Sequence, residues 1–251
     1  MVKGFLLVLL VMFFGFSLVK AEENVMIKVF TEQNPPYNWE ENGEIKGFST
    51  QIVREILKRA GFKYSMRCVP WSGAYQTTIK HENTLIFSIV RMENRESLFK
   101  WVGPFAPYQV FLFKLKSRKD INISSLKEAK RYRIGVVEND ARHLYFQEKG
   151  GYKLDVVRED ILNIKKLFVE RIDLIPFKEI TLKKRVNDLA GHSFDELEKV
   201  LLLDEISSDF YAAFGEKTSD EIVKKCQNAL NSMKKDGTFN EIASQHVIPG
   251  L

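Results

Sequence analysis

Between Met26 and Gly237 the sequence alternates β-type runs with helix-type stretches almost without pause. That alternation commits the chain to α/β layering with largely parallel sheets, because parallel neighbours need a crossover that a helix supplies. Residues 26–31 form a short β run closed by Asn34-Pro35-Pro36. After Gly47, the residues Ile52, Val53, Ile56, Leu57 and Ala60 recur at helical spacing until Gly61 stops them. A strand over 62–69, a helix over 72–80 and a buried strand over 85–90 follow, and Pro104 and Pro107 lead into an extended segment at 108–115. A second unit begins near Ser117. It opens with a capping-box pattern, Ser125-Leu126-Lys127-Glu128, then a strand over 133–137 and a helix over 141–149 ended by Gly150-Gly151. Elements at 153–157, 161–169, 172–176, 178–190, 200–203 and 209–214 continue the pattern, and Thr218-Ser219-Asp220-Glu221 opens a helix that Gly237 stops.

The segment ahead of this alternation stands apart. Lys3, an apolar run over 5–16, and small residues at Val19 and Ala21 have the form of a secretory signal peptide over 1–21, cut after Ala21. Its apolar stretch falls short of the roughly 20 residues that span a bilayer, and no cysteine at the junction offers a lipid attachment point. Export into an oxidising compartment leaves Cys68 and Cys226 open to either fate, two buried thiols or a disulfide.

Composition closes off several functional classes. With 45% hydrophobic and 28% charged residues the chain is neither disordered nor a repeat, and two cysteines cannot staple a mini-protein. The net charge of +5 suggests nucleic acid until its distribution is followed. Bases alternate with acids, as in Lys127-Glu128-Ala129-Lys130-Arg131, and the longest basic runs resemble Lys183-Lys184-Arg185. Solvated helix faces account for that pattern, and no nucleic-acid partner is expected. The four histidines are scattered, and no metal-ligand or nucleophile-elbow spacing occurs, so no metal, cofactor or catalytic residue is expected. The exported chain exceeds a single core of about 100–200 residues, yet no Pro/Gly/Ser-rich linker divides it. Two lobes joined by extended strands reconcile those facts.

A series of short motifs, in order along the chain, carries a resemblance. Asn34-Pro35-Pro36-Tyr37 is followed by Asn42-Gly43-Glu44-Ile45-Lys46-Gly47-Phe48, then by Val69-Pro70-Trp71 and by Phe87-Ser88-Ile89-Val90-Arg91-Met92-Glu93-Asn94-Arg95. Trp101-Val102-Gly103-Pro104-Phe105, Arg133-Ile134-Gly135-Val136-Val137 and Lys234-Lys235-Asp236-Gly237-Thr238-Phe239 complete the set. Together they resemble the periplasmic solute-binding proteins of ABC importers, specifically the amino-acid-binding family 3. The resemblance implies an α/β, two-lobed periplasmic binding protein fold (type II) with two hinge crossings. Mapped onto this chain, lobe 1 takes 22–112 and 213–251, lobe 2 takes 113–212, and the crossings fall at 108–115 and 211–215.

The same resemblance implies the site. Arg95 matches the arginine that takes a ligand carboxylate, and a guanidinium suits that task because its planar fork stays charged when desolvated. Ser88 ends an apolar strand, where open α/β sheets bind ligands, and Arg91 follows it closely enough to line the cleft. Val90 stands where the better-known members carry Ser or Thr, so two arginines could serve a ligand with more than one acidic group. Tyr37 and Trp71 match aromatics that wall the pocket. On the second lobe the family's usual Gly-Thr is replaced by Asn139-Asp140; Asp140 is a fitting N-cap, and Asp140 or Arg142 is expected to face the cleft. Near the family's ammonium-binding acid lie Asp173 and Glu179, although Lys178 occupies the position itself. The implied function is capture of a small polar, carboxylate-bearing solute for an ABC transporter permease by hinge closure, in the periplasm, as a monomer not inserted in the membrane. Two alternatives remain at this stage: a dehydratase-like enzyme on the same fold, and a sensor that signals through a separate receptor.

Overall fold

The computed structural model describes residues 25–248. The segment over 1–21, expected to be a signal peptide, lies outside them. From the N-terminus the elements are β1 (Met26–Thr31), β2 (Trp39–Glu41), β3 (Glu44–Lys46), α1 (Phe48–Arg59), β4 (Lys63–Cys68), α2 (Trp71–Lys80), β5 (Thr84–Val90) and β6 (Phe99–Tyr108). They continue as β7 (Phe111–Leu115), β8 (Arg133–Val137), α3 (Ala141–Lys149), β9 (Lys153–Val157), α4 (Asp160–Phe168), β10 (Ile175–Phe177) and α5 (Glu179–Asn187). The last are β11 (Leu197–Leu202), β12 (Ser208–Gly215), α6 (Asp220–Asp236) and α7 (Thr238–Ser244).

Two sheet systems and a separate β2–β3 hairpin result. The first has the order β4-β1-β5-β12-β6. Its strand β5 is buried along its whole length, which is why it reads as an unbroken apolar run rather than an alternating one. Helix α1 lays Ile52, Val53, Ile56 and Leu57 into this core, and α6 adds Ile222, Cys226, Leu230 and Met233. The second system pairs β7 with β10 and β11, and joins β8–β9 to them through a bridge between Ile134 and Leu174. Cys68 and Cys226 are both free thiols.

The sheets are less parallel than the alternation predicts. Among the described residues only β4-β1-β5 and β8-β9 run parallel as strand pairs, whereas β12 is antiparallel to both β5 and β6, β7 is antiparallel to β10 and β11, and β2 is antiparallel to β3. Four of the strands that depart from the parallel rule, β6, β7, β11 and β12, flank the crossings between systems. Residues Gln109 and Val110 carry the chain out, within the segment expected at 108–115. The return differs from expectation. Residues 211–215 lie inside β12, register-paired with β5 and β6, and the crossing occurs upstream at 203–207. The two crossings touch: Leu203 donates its N–H to the Val110 carbonyl at 2.8 Å, and Val110 donates to Ser207 Oγ at 3.2 Å. Ser125-Leu126-Lys127-Glu128 does not open an α-helix. Glu128 accepts from the N–H groups of Ser124 and Ser125, but only a single 3₁₀ turn over 128–131 fits before β8 begins.

Candidate ligand-binding cleft

The carboxyl ends of β1 and β5 open toward the second sheet system, and the residues just past them build one wall of a cavity. Ser88 bends β5 with a φ of 57° and donates its hydroxyl to Asn38 Oδ1 at 2.5 Å. The 3₁₀ turn over 93–95 then folds Arg95 back beneath the strand end. Its guanidinium is fully buried, donating from Nη1 to the Val90 carbonyl at 3.0 Å and from Nη2 across the gap to the Asn139 carbonyl at 2.9 Å. Trp71 and Tyr75 present ring faces at 5.6 and 5.3 Å. Nε has no partner, and no carboxylate among the described residues lies within ion-pairing distance of this cation. Burial pulls its pKa below the ordinary guanidinium value, opposed by Tyr75 and Asp140.

The facing wall is built where β8 turns into α3. Asn139 takes a φ of 61°, and Asp140 caps the helix by accepting the His143 N–H at 2.9 Å. Arg142 reaches back from the first turn between two carboxylates, donating to Asp140 at 2.5 Å and Asp160 at 2.9 Å, with a third bond to the Pro176 carbonyl at 3.0 Å. Burial works against all these charges. Even so, Arg142, with Arg185 and Lys178, holds the Asp160 carboxyl below its usual range, and the two acids hold Arg142 well above its own. The triad carries a net single negative charge.

Glu32, one residue past β1, and Lys178, one residue before α5, meet the cavity from opposite sides. Burial and Asp160 push Glu32 up to about 7, against Lys178, Arg185 and Arg142. Burial and Arg142 pull Lys178 down to about 8, against Glu32 and Asp160. The Lys178 ammonium lies over the rings of Tyr108 and Phe210, 5.3 and 5.2 Å from their centroids. The cavity measures about 20 Å³. It adjoins an outer compartment of about 480 Å³ through Glu32 and Trp71, which line both. That compartment is bordered by Glu40, Glu159 and Asp188 together with Arg158, Lys184 and Arg185.

Five of the residues expected from sequence therefore converge on one cavity: Trp71, Ser88, Arg95, Asp140 and Arg142. Three do not. Arg91 turns outward at the end of β5, where Glu96 takes its guanidinium at 2.8 Å and Trp101 and Tyr211 flank it. Tyr37 is buried with its ring edge-on to the lining residue Phe210, so it supports the lining rather than forming it. Glu179 begins α5 and points to Lys199 at 2.6 Å on the exposed side. Asp173 is likewise spent on Arg118 and Arg133. Six further lining residues were not among those expected: Glu32, Val90, Tyr108, Ala141, Lys178 and Phe210. Glu32 was within reach of the rule that selected Ser88, since both sit at the carboxyl end of a strand.

Two α/β layers, two adjoining crossings and a charged cavity at strand ends between them define the two-lobed, type II periplasmic binding protein fold. The chain belongs to the bacterial extracellular solute-binding proteins, family 3, whose family model matches residues 27–248. It is 20% identical to the "Probable amino-acid-binding protein YxeM" of Bacillus subtilis (strain 168), over 92% of this chain and 87% of that one. It is 21% identical to the L-cystine-binding protein TcyJ of Escherichia coli (strain K12), over 84% and 78%. Among solved structures, an ancestral arginine-binding protein bound to arginine superposes with a TM-score of 0.74 at 20% identity, covering 88% of this chain and 97% of that one.

Proposed function

We propose that this solute-binding protein captures a small, carboxylate-bearing solute of the amino-acid type between its lobes and presents it, outside the cytoplasmic membrane, to the permease of an ABC importer. The observation that carries this reading is Arg95: a fully buried guanidinium at the cavity, free at Nε and without a carboxylate of its own. A ligand carboxylate supplies the missing charge. Arg95 also reaches across to Asn139, so the residue that grips the solute responds to the separation of the lobes. By sheet membership lobe 1 takes about 25–108 and 208–248 and lobe 2 about 111–202, with the pivot where Val110 and Leu203 meet. A cavity of about 20 Å³ has room for roughly one water, so the solute needs the lobes farther apart than they stand here and is enclosed as they close onto it. The relatives' named ligands, an amino acid in each case, agree with a carboxylate at Arg95.

A thermal-shift screen over amino acids, dicarboxylates and polyamines identifies the solute, and small-angle scattering with and without it tests the clamp. Binding without compaction would refute hinge closure. A second reading, an enzyme in the same cleft, draws support from Glu32, whose carboxyl near neutrality suits a general acid. A product assay on each bound solute separates the two: unchanged solute after prolonged incubation identifies a carrier.

A further inference from the structure

Lys178 is 8% exposed and lines the same cavity as Arg95 from the opposite wall. Its ammonium has aromatic faces beneath it but makes no hydrogen bond and no ion pair among the described residues. A buried ammonium carries three donors, and leaving them unmade is costly. The other cation on this wall, Arg142, is satisfied by Asp140, Asp160 and the Pro176 carbonyl. Two underused cations thus face one space, one from each lobe.

We propose that Lys178 is a second anion-binding point in the cleft, so that the solute carries two carboxylates, one held by Arg95 and one by Lys178. The inference rests on the binding reading given above and narrows its ligand class to small dicarboxylic acids, with or without an amino group. Glu32 lines the same cavity without bonding Lys178, and with its carboxyl near neutrality it can take up a proton and donate to the second ligand carboxylate. The nearby Asp140 offers an acceptor to an amino group on the solute. A dicarboxylate also adds an interlobe tie, because each of its ends is fixed to a different lobe.

The test is calorimetric titration with malonate, succinate, glutarate, L-aspartate and L-glutamate, each beside its own monoamide, and with L-arginine. At least one dicarboxylate is expected to bind about tenfold or more tightly than its monoamide, the worth of one charged hydrogen bond. Lys178→Met should remove that preference, whereas Lys178→Arg should keep much of it. Circular dichroism confirms that each variant is folded, and the wild-type preference stands as a test even where a variant is not. The proposal is overturned if the monoamides or arginine bind the wild type as tightly as every dicarboxylate, or if Lys178→Met keeps the preference. Arg95→Met separates this from the reading beneath it. Loss of all carboxylate binding in that variant, with no dicarboxylate preference in the wild type, overturns the inference and leaves the cleft reading intact. Dicarboxylate binding that survives Arg95→Met overturns the reading.

Discussion

Replacing Arg95 by methionine removes a guanidinium that touches both walls of the cleft. Its two bonds, to Val90 O at 3.0 Å and Asn139 O at 2.9 Å, are charge-assisted and worth ~1.5–3 kcal/mol each. Against that stands the desolvation of a fully buried cation, a penalty of several kcal/mol that methionine does not incur. The two nearly offset, so the global stability of Arg95→Met should stay within about 2 kcal/mol of the wild type. The lobe equilibrium has no such compensation. Losing the bond to Asn139 favours the open form by ~1.5–3 kcal/mol, roughly a 10- to 150-fold shift. Ligand affinity suffers more, because a carboxylate brought into the closed cleft then lacks its cation; ~2–5 kcal/mol corresponds to roughly 30- to 4,000-fold in Kd. Calorimetry with a solute found in the screen gives the affinity, and scattering gives the mean opening. A folded Arg95→Met protein whose Kd stays within about threefold of the wild type would refute the argument.

Three further perturbations test the fold and its charges. Gly47 has a φ of 111°, and a Cβ there would lie 2.4 Å from the Tyr37 carbonyl, so Gly47→Ala should cost ~3 kcal/mol; an unchanged urea midpoint contradicts this. Glu32 holds its proton up to about 7 instead of 4.5, so the folded state binds more protons than the unfolded one and stability declines as pH rises through that window. Glu32→Gln should flatten that decline, and identical slopes in the two proteins would count against it. Asp236 is held at about 2 by hydrogen bonds from Thr238 and Arg59, so its contribution is present above about pH 4 and lost as pH falls through about 2. The acid limb of the Asp236→Asn denaturation profile should be correspondingly shallower, and an unaltered limb would show that the carboxylate contributes nothing.

Local pattern made much of the framework legible. Residues 26–31, 133–137, 141–149 and 153–157 form their elements at the expected boundaries, because each is marked by its own turn, cap or glycine. The second crossing was not legible. Residues 203–207 contain neither Gly nor Pro, and β11 is irregular between Lys199 and Leu201, which breaks the alternation that would have marked its limits. In the cleft, the family resemblance located Arg95, while a strand end and the strand-to-helix turn located Ser88, Asp140 and Arg142. Direction was the missing information. Arg91 and Lys178 are both cations beside apolar strands, and only the fold sends one to Glu96 on the surface and the other over Tyr108 and Phe210.

Tyr108 and Ser208 are register partners in the first sheet, so the chain leaves that sheet and rejoins it at one point. Topologically β6 and β12 are the arms of a single hairpin, and everything between them is its loop. Closing a loop of about 100 residues costs ~4 kcal/mol in chain entropy, less when the loop is already compact. During synthesis every strand of the insert is made before β12 exists, whereas the first sheet lacks its fourth strand until the C-terminal stretch arrives. The insert thus has all its parts first, and the surrounding lobe assembles around it.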